Sequence, residues 1–136
     1  MLQSIRVADY MAHKLVTLRP DMSIDQAIRS LLDNGISGAP VVQDGKLVGV
    51  FSESDCLKDV LQSVYHNMGG GLVSDFMTAA METISPDESI ITAAEIFLNH
   101  RRRRLPVVDA NGRLVGQISR RDVLRAIADL SSKAPA

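Results

Sequence analysis

Two ten-residue stretches of this chain nearly coincide: Lys46 to Asp55 reads KLVGVFSESD and Arg113 to Asp122 reads RLVGQISRRD. An internal repeat limits the fold more than any composition can, because each copy must be one supersecondary unit and the two must be alike. In both copies a short apolar strand carries a glycine, Gly49 or Gly116, where another backbone or a ligand can approach closely. The strand then runs into a helix at Ser52 to Asp55 and at Ser119 to Asp122. Such a junction presents unpaired backbone N–H groups and suits a phosphorylated ligand.

The repeat extends well beyond these stretches. VADYM (Val7 to Met11) returns as VSDFM (Val73 to Met77), an offset of 66 residues. The same offset pairs Thr17 with Thr83, Pro20-Asp21 with Pro86-Asp87, Ser23-Ile24 with Ser89-Ile90, Ala27 with Ala93, Leu32 with Leu98, and Pro40-Val41-Val42 with Pro106-Val107-Val108. After the valines the second copy has one extra turn residue and the offset becomes 67, an insertion that a surface hairpin tolerates.

Each copy reads as a lead segment, a short strand (Leu15 to Leu18; Met81 to Ile84), a helix, a hairpin and a second helix. Ser23 and Ser89 are placed to cap the first helices. The expected apolar faces are Ile24, Ala27, Ile28, Leu31 and Leu32, and Ile90, Ala93, Ala94, Phe97 and Leu98, which fit a helical period. Asp44-Gly45 and Asn111-Gly112 lie between apolar runs and signal the hairpin turns. The second helices run from about Ser52 to Tyr65 and Ser119 to Leu130, with Leu57, Val60, Leu61 and Val64, and Val123, Leu124 and Ile127, as their apolar residues. The expected organisation is a first repeat over 1–66, a glycine-rich linker over 67–72, a second repeat over 73–130 and a frayed tail over 131–136. A unit of about 60 residues is marginal alone, so the two are expected to share one core.

The chain has 136 residues, 46% of them hydrophobic, enough to bury a core. Its formal charge of −1, from 15 basic and 16 acidic residues, offers no global attraction to nucleic acid or an anionic membrane. No apolar run reaches the roughly 20 residues a spanning helix needs, and the stretch MLQSIRVADY lacks the apolar core of a secretory signal. With one cysteine, Cys56, no internal disulfide can form, and a cytoplasmic location is expected. Cys56 is expected to be packed.

The Ser-x-x-Asp junction approximates a capping box, and a carboxylate there can also accept hydrogen bonds from the two hydroxyls of a ribose. The run Arg101 to Arg104 precedes Leu105-Pro106-Val107-Val108. Phosphate fits the guanidinium fork, which makes Arg103 and Arg104 candidate phosphate ligands. The matching stretch of the first copy, Gly35-Ile36-Ser37-Gly38, is neutral.

Taken together, VxDxM, Pro-Asp-x-Ser-Ile, Pro-Val-Val, Leu-Val-Gly and Ser-x-x-Asp, each present twice, closely resemble a tandem pair of CBS domains, the regulatory modules named after cystathionine β-synthase. The resemblance covers about Val7 to Leu130. It implies an α/β fold of two β-α-β-β-α CBS repeats packed about a pseudo-two-fold axis, a CBS-domain pair with two clefts for adenosyl ligands. It further implies that one cleft combines Ser52 to Asp55 with Arg102, Arg103, Arg104 and Leu105. The other combines Ser119, Arg120, Arg121 and Asp122 with Ile36, Ser37, Gly38 and Ala39, Arg120 and Arg121 supplying the charge for a phosphate. The expected protein is a non-catalytic sensor of an adenine nucleotide (AMP, ADP or ATP), homodimeric, acting on a separate effector protein, with no catalytic cofactor, no metal and no nucleic-acid or membrane partner. The alternative is a ligand-free CBS dimerisation and interaction module. An enzyme is disfavoured because His13, His66 and His100 are scattered without ligand spacing. Three Phe, two Tyr and no Trp leave little to stack nucleic-acid bases.

Overall fold

The computed structural model describes residues 1–66 and 70–133. A 3-10 turn (Leu2–Ser4) leads into α1 (Val7–Tyr10), followed by α2 (Ile24–Asn34), β1 (Gly38–Gln43), β2 (Lys46–Ser52), α3 (Glu53–His66), α4 (Val73–Phe76), α5 (Ile90–Asn99), β3 (Arg104–Val108), β4 (Leu114–Ser119) and α6 (Arg120–Lys133). The result is a mixed α/β chain with two antiparallel hairpins, β1–β2 and β3–β4.

Local chemistry sets the element ends. Ser23 Oγ accepts from the Gln26 amide at 3.2 Å while Gln26 Oε1 accepts from the Ser23 amide at 3.2 Å, a reciprocal capping box that starts α2. Ser89 Oγ accepts from the Ile91 amide at 3.0 Å and starts α5. The β1–β2 turn has positive φ at both Asp44 and Gly45, the conformation of a two-residue type I′ hairpin. The longer β3–β4 turn is held by Asp109 Oδ1, which accepts from the amides of Asn111 (2.9 Å) and Arg113 (3.0 Å). Both hairpins shift register at the same place, Val41/Val42 and Val107/Val108.

The expected first strands are not strands. Each contracts to one parallel bridge, Leu18 to Val41 and Ile84 to Val107, with Leu18 held by bonds to Pro40 O (2.9 Å) and from Val42 N (2.8 Å). The tail is corrected as well: α6 continues through Ser131 to Lys133, since the sequence holds no helix breaker before Pro135. In the expected linker, Gly71 O accepts from the Ile24 amide at 3.1 Å and Leu72 bridges Ser23, whereas 67–69, like 134–136 of the expected tail, lie outside the described residues.

The chain forms two compact units that cut across the repeats: one holds Val16–Met81, the other Met1–Leu15 together with Glu82 onward. The lead segment of each repeat therefore belongs to the body of the other. Val7 lies in a cluster with Ile84, Ile90, Phe97, Leu105, Val107 and Ile118, and Val73 lies in one with Leu18, Ile24, Leu31, Val41 and Phe51. The expectation of a single shared core is corrected to two clusters, each completed by a valine from the other repeat. Gly49 and Gly116 explain how the segments fit. A Cβ at Gly116 would lie 2.8 Å from the Ala12 carbonyl oxygen, and one at Gly49 would lie 3.1 Å from that of Thr78, so these glycines admit a backbone.

Not every expected core residue is buried. Leu32 and Leu98 are 75% exposed, and Leu57, Val60, Leu61, Val64, Leu124 and Ile127 are exposed as well, whereas Val123 and Cys56 are buried. The small hairpins leave only one face of each helix covered, and burial ends at Leu31 and Phe97.

Candidate functional site

The lead motif is structural. Asp9 Oδ2 accepts from the Arg6 amide at 3.0 Å and Asp75 Oδ2 from the Leu72 amide at 3.0 Å, so the aspartate of VxDxM closes the first turn of α1 and of α4.

The two Ser-x-x-Asp junctions are built alike. Asp55 Oδ2 accepts from the Ser52 amide (2.9 Å) and from Ser52 Oγ (3.2 Å), and Asp122 Oδ2 does the same with Ser119 (2.8 and 3.0 Å). Asp55 is 4% exposed, the one buried charged residue among those described. The remaining carboxylate oxygen of each meets a cation three residues on. Lys58 Nζ lies 3.8 Å from Asp55 Oδ1, and Arg125 Nη2 lies 2.7 Å from Asp122 Oδ1. Each carboxylate is thus fixed at a helix start, ionisable, and provided with oxygen lone pairs beyond those its cap uses.

Within Val16–Met81, Ser52 pairs with Gly38 across β1–β2, and the Glu53 amide donates to Ser37 O at 2.9 Å. Ile36 is half-buried and packs against the core, and Ala39 lies in it. In the other unit, Arg104 pairs with Ser119 across β3–β4, and the Arg120 amide donates to Arg103 O at 3.1 Å. Each Ser-x-x-Asp is therefore brought beside the residues preceding the Pro-Val-Val strand of its own repeat. Leu105 is a core residue, so a ligand at Leu105 or Ala39 would meet backbone.

The arginines divide by role. Arg120 donates to the carbonyls of Arg102 (2.7 Å) and Phe97 (2.8 Å), tying the end of α5 to the start of α6. Arg102 Nε pairs with Glu82 at 3.3 Å, the carboxylate that also meets His100 Nδ1 at 2.7 Å. Arg103 and Arg121 are exposed and Arg104 is partly buried. Arg101 has φ 55° at the position where the first repeat has Gly35 with φ 61°, a left-handed conformation that a side chain disfavours.

The sequence reading did not single out Lys58, Arg125, Glu82, Tyr10 or Asp129. A signal existed for two of them: a basic residue follows each aspartate by three, at the repeat offset. Burial raises the Cys56 thiol above its ordinary range, with the charge of Asp55 adding to the effect. Among the described residues no group of three or more His, Cys, Asp or Glu could hold a metal ion, and no helix is long and apolar enough to cross a membrane.

The family model described as CBS domain matches residues 7–62 and 73–129. The CBS domain-containing protein CBSX1, chloroplastic, of Arabidopsis thaliana is 33% identical over 88% of this chain, which spans 63% of that relative's length. The solved CBS-pair protein CBSX2 from Arabidopsis thaliana is 33% identical with a TM-score of 0.84, covering 96% of this chain and 99% of that one. CBSX2 is also known in complex with AMP (TM-score 0.80, 32% identity, 93% and 98% covered). The CBS domain pair of protein MJ0100 in complex with 5′-methylthioadenosine and S-adenosyl-L-methionine matches with a TM-score of 0.75 and 26% identity, covering 93% of this chain and 98% of that one.

Proposed function

The chain belongs to the CBS domain family, and from that premise we propose that it is a non-catalytic regulatory module that binds an adenine nucleotide, AMP, ADP or ATP, and relays its occupancy to a separate effector protein. The observation that carries this reading is the pair of fixed carboxylates, Asp55 and Asp122, each held by serine at the start of a long helix. In this reading each accepts hydrogen bonds from a ribose diol, while the helix N-terminus favours the ligand's negative charge. The exposed Arg103, with Arg104 and Arg121, meets phosphate. The adenosyl ligands of the solved relatives, AMP on CBSX2 and S-adenosyl-L-methionine on MJ0100, support the ligand class.

The reading extends to assembly and location. Leu57, Val60, Leu124 and Ile127 are exposed at matching positions of α3 and α6, which suits a symmetric homodimer. The single buried cysteine suits a reducing compartment such as the cytoplasm. The same exposed faces also favour the second reading, a ligand-free interaction module in which both aspartates serve as helix caps alone. Calorimetric titration of AMP, ATP and adenosine into the protein separates the two. The nucleotide reading expects saturable heat with all three ligands; no heat with any of them at millimolar concentration leaves the interaction module.

A further inference from the structure

We propose that Arg125 is a positioning residue that couples the carboxylate of Asp122 to the N-terminal lead segment, so that occupancy of this site is felt at α1. The inference rests on the reading that Asp122 meets the ribose of an adenosyl ligand.

One guanidinium makes the link. Arg125 Nη2 donates to Asp122 Oδ1 at 2.7 Å and to the carbonyl of Tyr10 at 3.1 Å. Its central carbon stands 5.9 Å from the centroid of the Tyr10 ring, within the range of a cation–π contact. The Tyr10 hydroxyl in turn donates to Asp129 Oδ2 at 2.7 Å, one turn further along α6. Tyr10 ends α1, and two residues later Ala12 exchanges hydrogen bonds with Gln117 of β4, 2.8 Å and 3.0 Å. The lead segment is therefore gripped through the same side chain that orients the carboxylate.

The repeat supplies an internal control. At the matching positions stand Lys58, Phe76 and Gln62: a point charge 3.8 Å from its aspartate, a ring without a hydroxyl and a neutral amide. The coupling belongs to the Asp122 site alone.

The sign follows from geometry. Among the described residues, Asp122 Oδ2 accepts two bonds from Ser119, whereas Oδ1 accepts one, from Arg125, which leaves Oδ1 a lone pair for a ribose hydroxyl. Arg125 and the diol thus share the carboxylate, each favouring the orientation the other uses. Reciprocity then requires that a ligand bound through the diol strengthens the hold on Tyr10 by the same factor by which that hold strengthens the ligand.

The test is amide hydrogen exchange at Met11 and Ala12, whose N–H groups donate to Val7 O (3.0 Å) and Gln117 O (2.8 Å). Saturating adenosine should slow exchange there by about fivefold or more, and 2′,3′-dideoxyadenosine, which lacks the diol, should not. Arg125→Ala should abolish the adenosine effect at Met11 and Ala12. Arg125→Lys, which keeps the charge and copies Lys58, should lose most of it and guards against a folding defect in the first variant. Faster or unchanged exchange in a wild type that binds adenosine overturns the coupling alone, as does an equal effect in the Arg125 variants. A wild type that binds no adenosyl ligand overturns the coupling together with the proposed function.

Discussion

In the proposed function Asp122 and Asp55 would each do two things that do not compete: a carboxylate that caps a helix keeps lone pairs for a ligand. Both aspartates are readable from the repeat, and so is the basic residue three positions after each, but that this cation reaches the second carboxylate oxygen emerges only from the three-dimensional neighbours, because a basic residue on a helix surface is ordinary. Tyr10 was invisible for the same reason, its partners Arg125 and Asp129 lying far along the chain. Its phenol is raised above the ordinary value of 10.0, first by the hydrogen bond to Asp129, then by desolvation and by the charges of Asp129 and Asp9, against an opposing effect of Arg125. The folded value exceeds the unfolded one, so the contribution of this bond to stability is complete below the unfolded pKa and lost as pH rises through the folded value. In Tyr65→Phe protein, which leaves Tyr10 as the sole tyrosine, the phenolate absorbance should rise with a midpoint above the ordinary value, and Asp129→Asn should bring that midpoint down. A midpoint unmoved by Asp129→Asn contradicts the bond.

Helix caps, hairpin turns and the Ser-x-x-Asp junctions were legible because their chemistry is local. The first strands were not, since a single bridge carries no period. Nor was the exchange of lead segments, because VxDxM specifies a capped turn without saying which body it docks on. Gly49 and Gly116 hinted at that docking and left open whether a backbone or a ligand approaches; the carbonyls of Thr78 and Ala12 settle it. Gly116→Ala should therefore destabilise the protein by about 1–3 kcal/mol in urea unfolding, the cost of overpacking against an immovable backbone. Arg101→Gly should instead stabilise it by about 1 kcal/mol by relieving the left-handed arginine, as Gly35 does in the first repeat. Equal, small effects from both would contradict the positions assigned to them.

The repeat fixed the family and the α/β plan of the whole molecule, but it overstated the core. Periodicity marks a helix face as apolar and cannot say whether its own body or a second molecule covers it. Leu32 and Leu98, and Leu57 and Leu124, are exposed in pairs that obey the repeat offset, a pattern that the proposed homodimer would cover. Light scattering at micromolar concentration should give the mass of a dimer, and Leu57→Lys with Leu124→Lys should give that of a monomer; a wild-type monomer contradicts the homodimer. The most direct measurement is the titration of AMP into Asp55→Ala, Asp122→Ala and the double variant, beside their thermal unfolding. Each single variant should lower the affinity of its own site roughly 30- to 150-fold, for a charge-assisted contact of about 2–3 kcal/mol, while stability falls by only about 1 kcal/mol, and the double variant should bind no AMP in the range where wild type saturates. AMP affinity unchanged in all three, with stability alone reduced, would make both aspartates caps and nothing more.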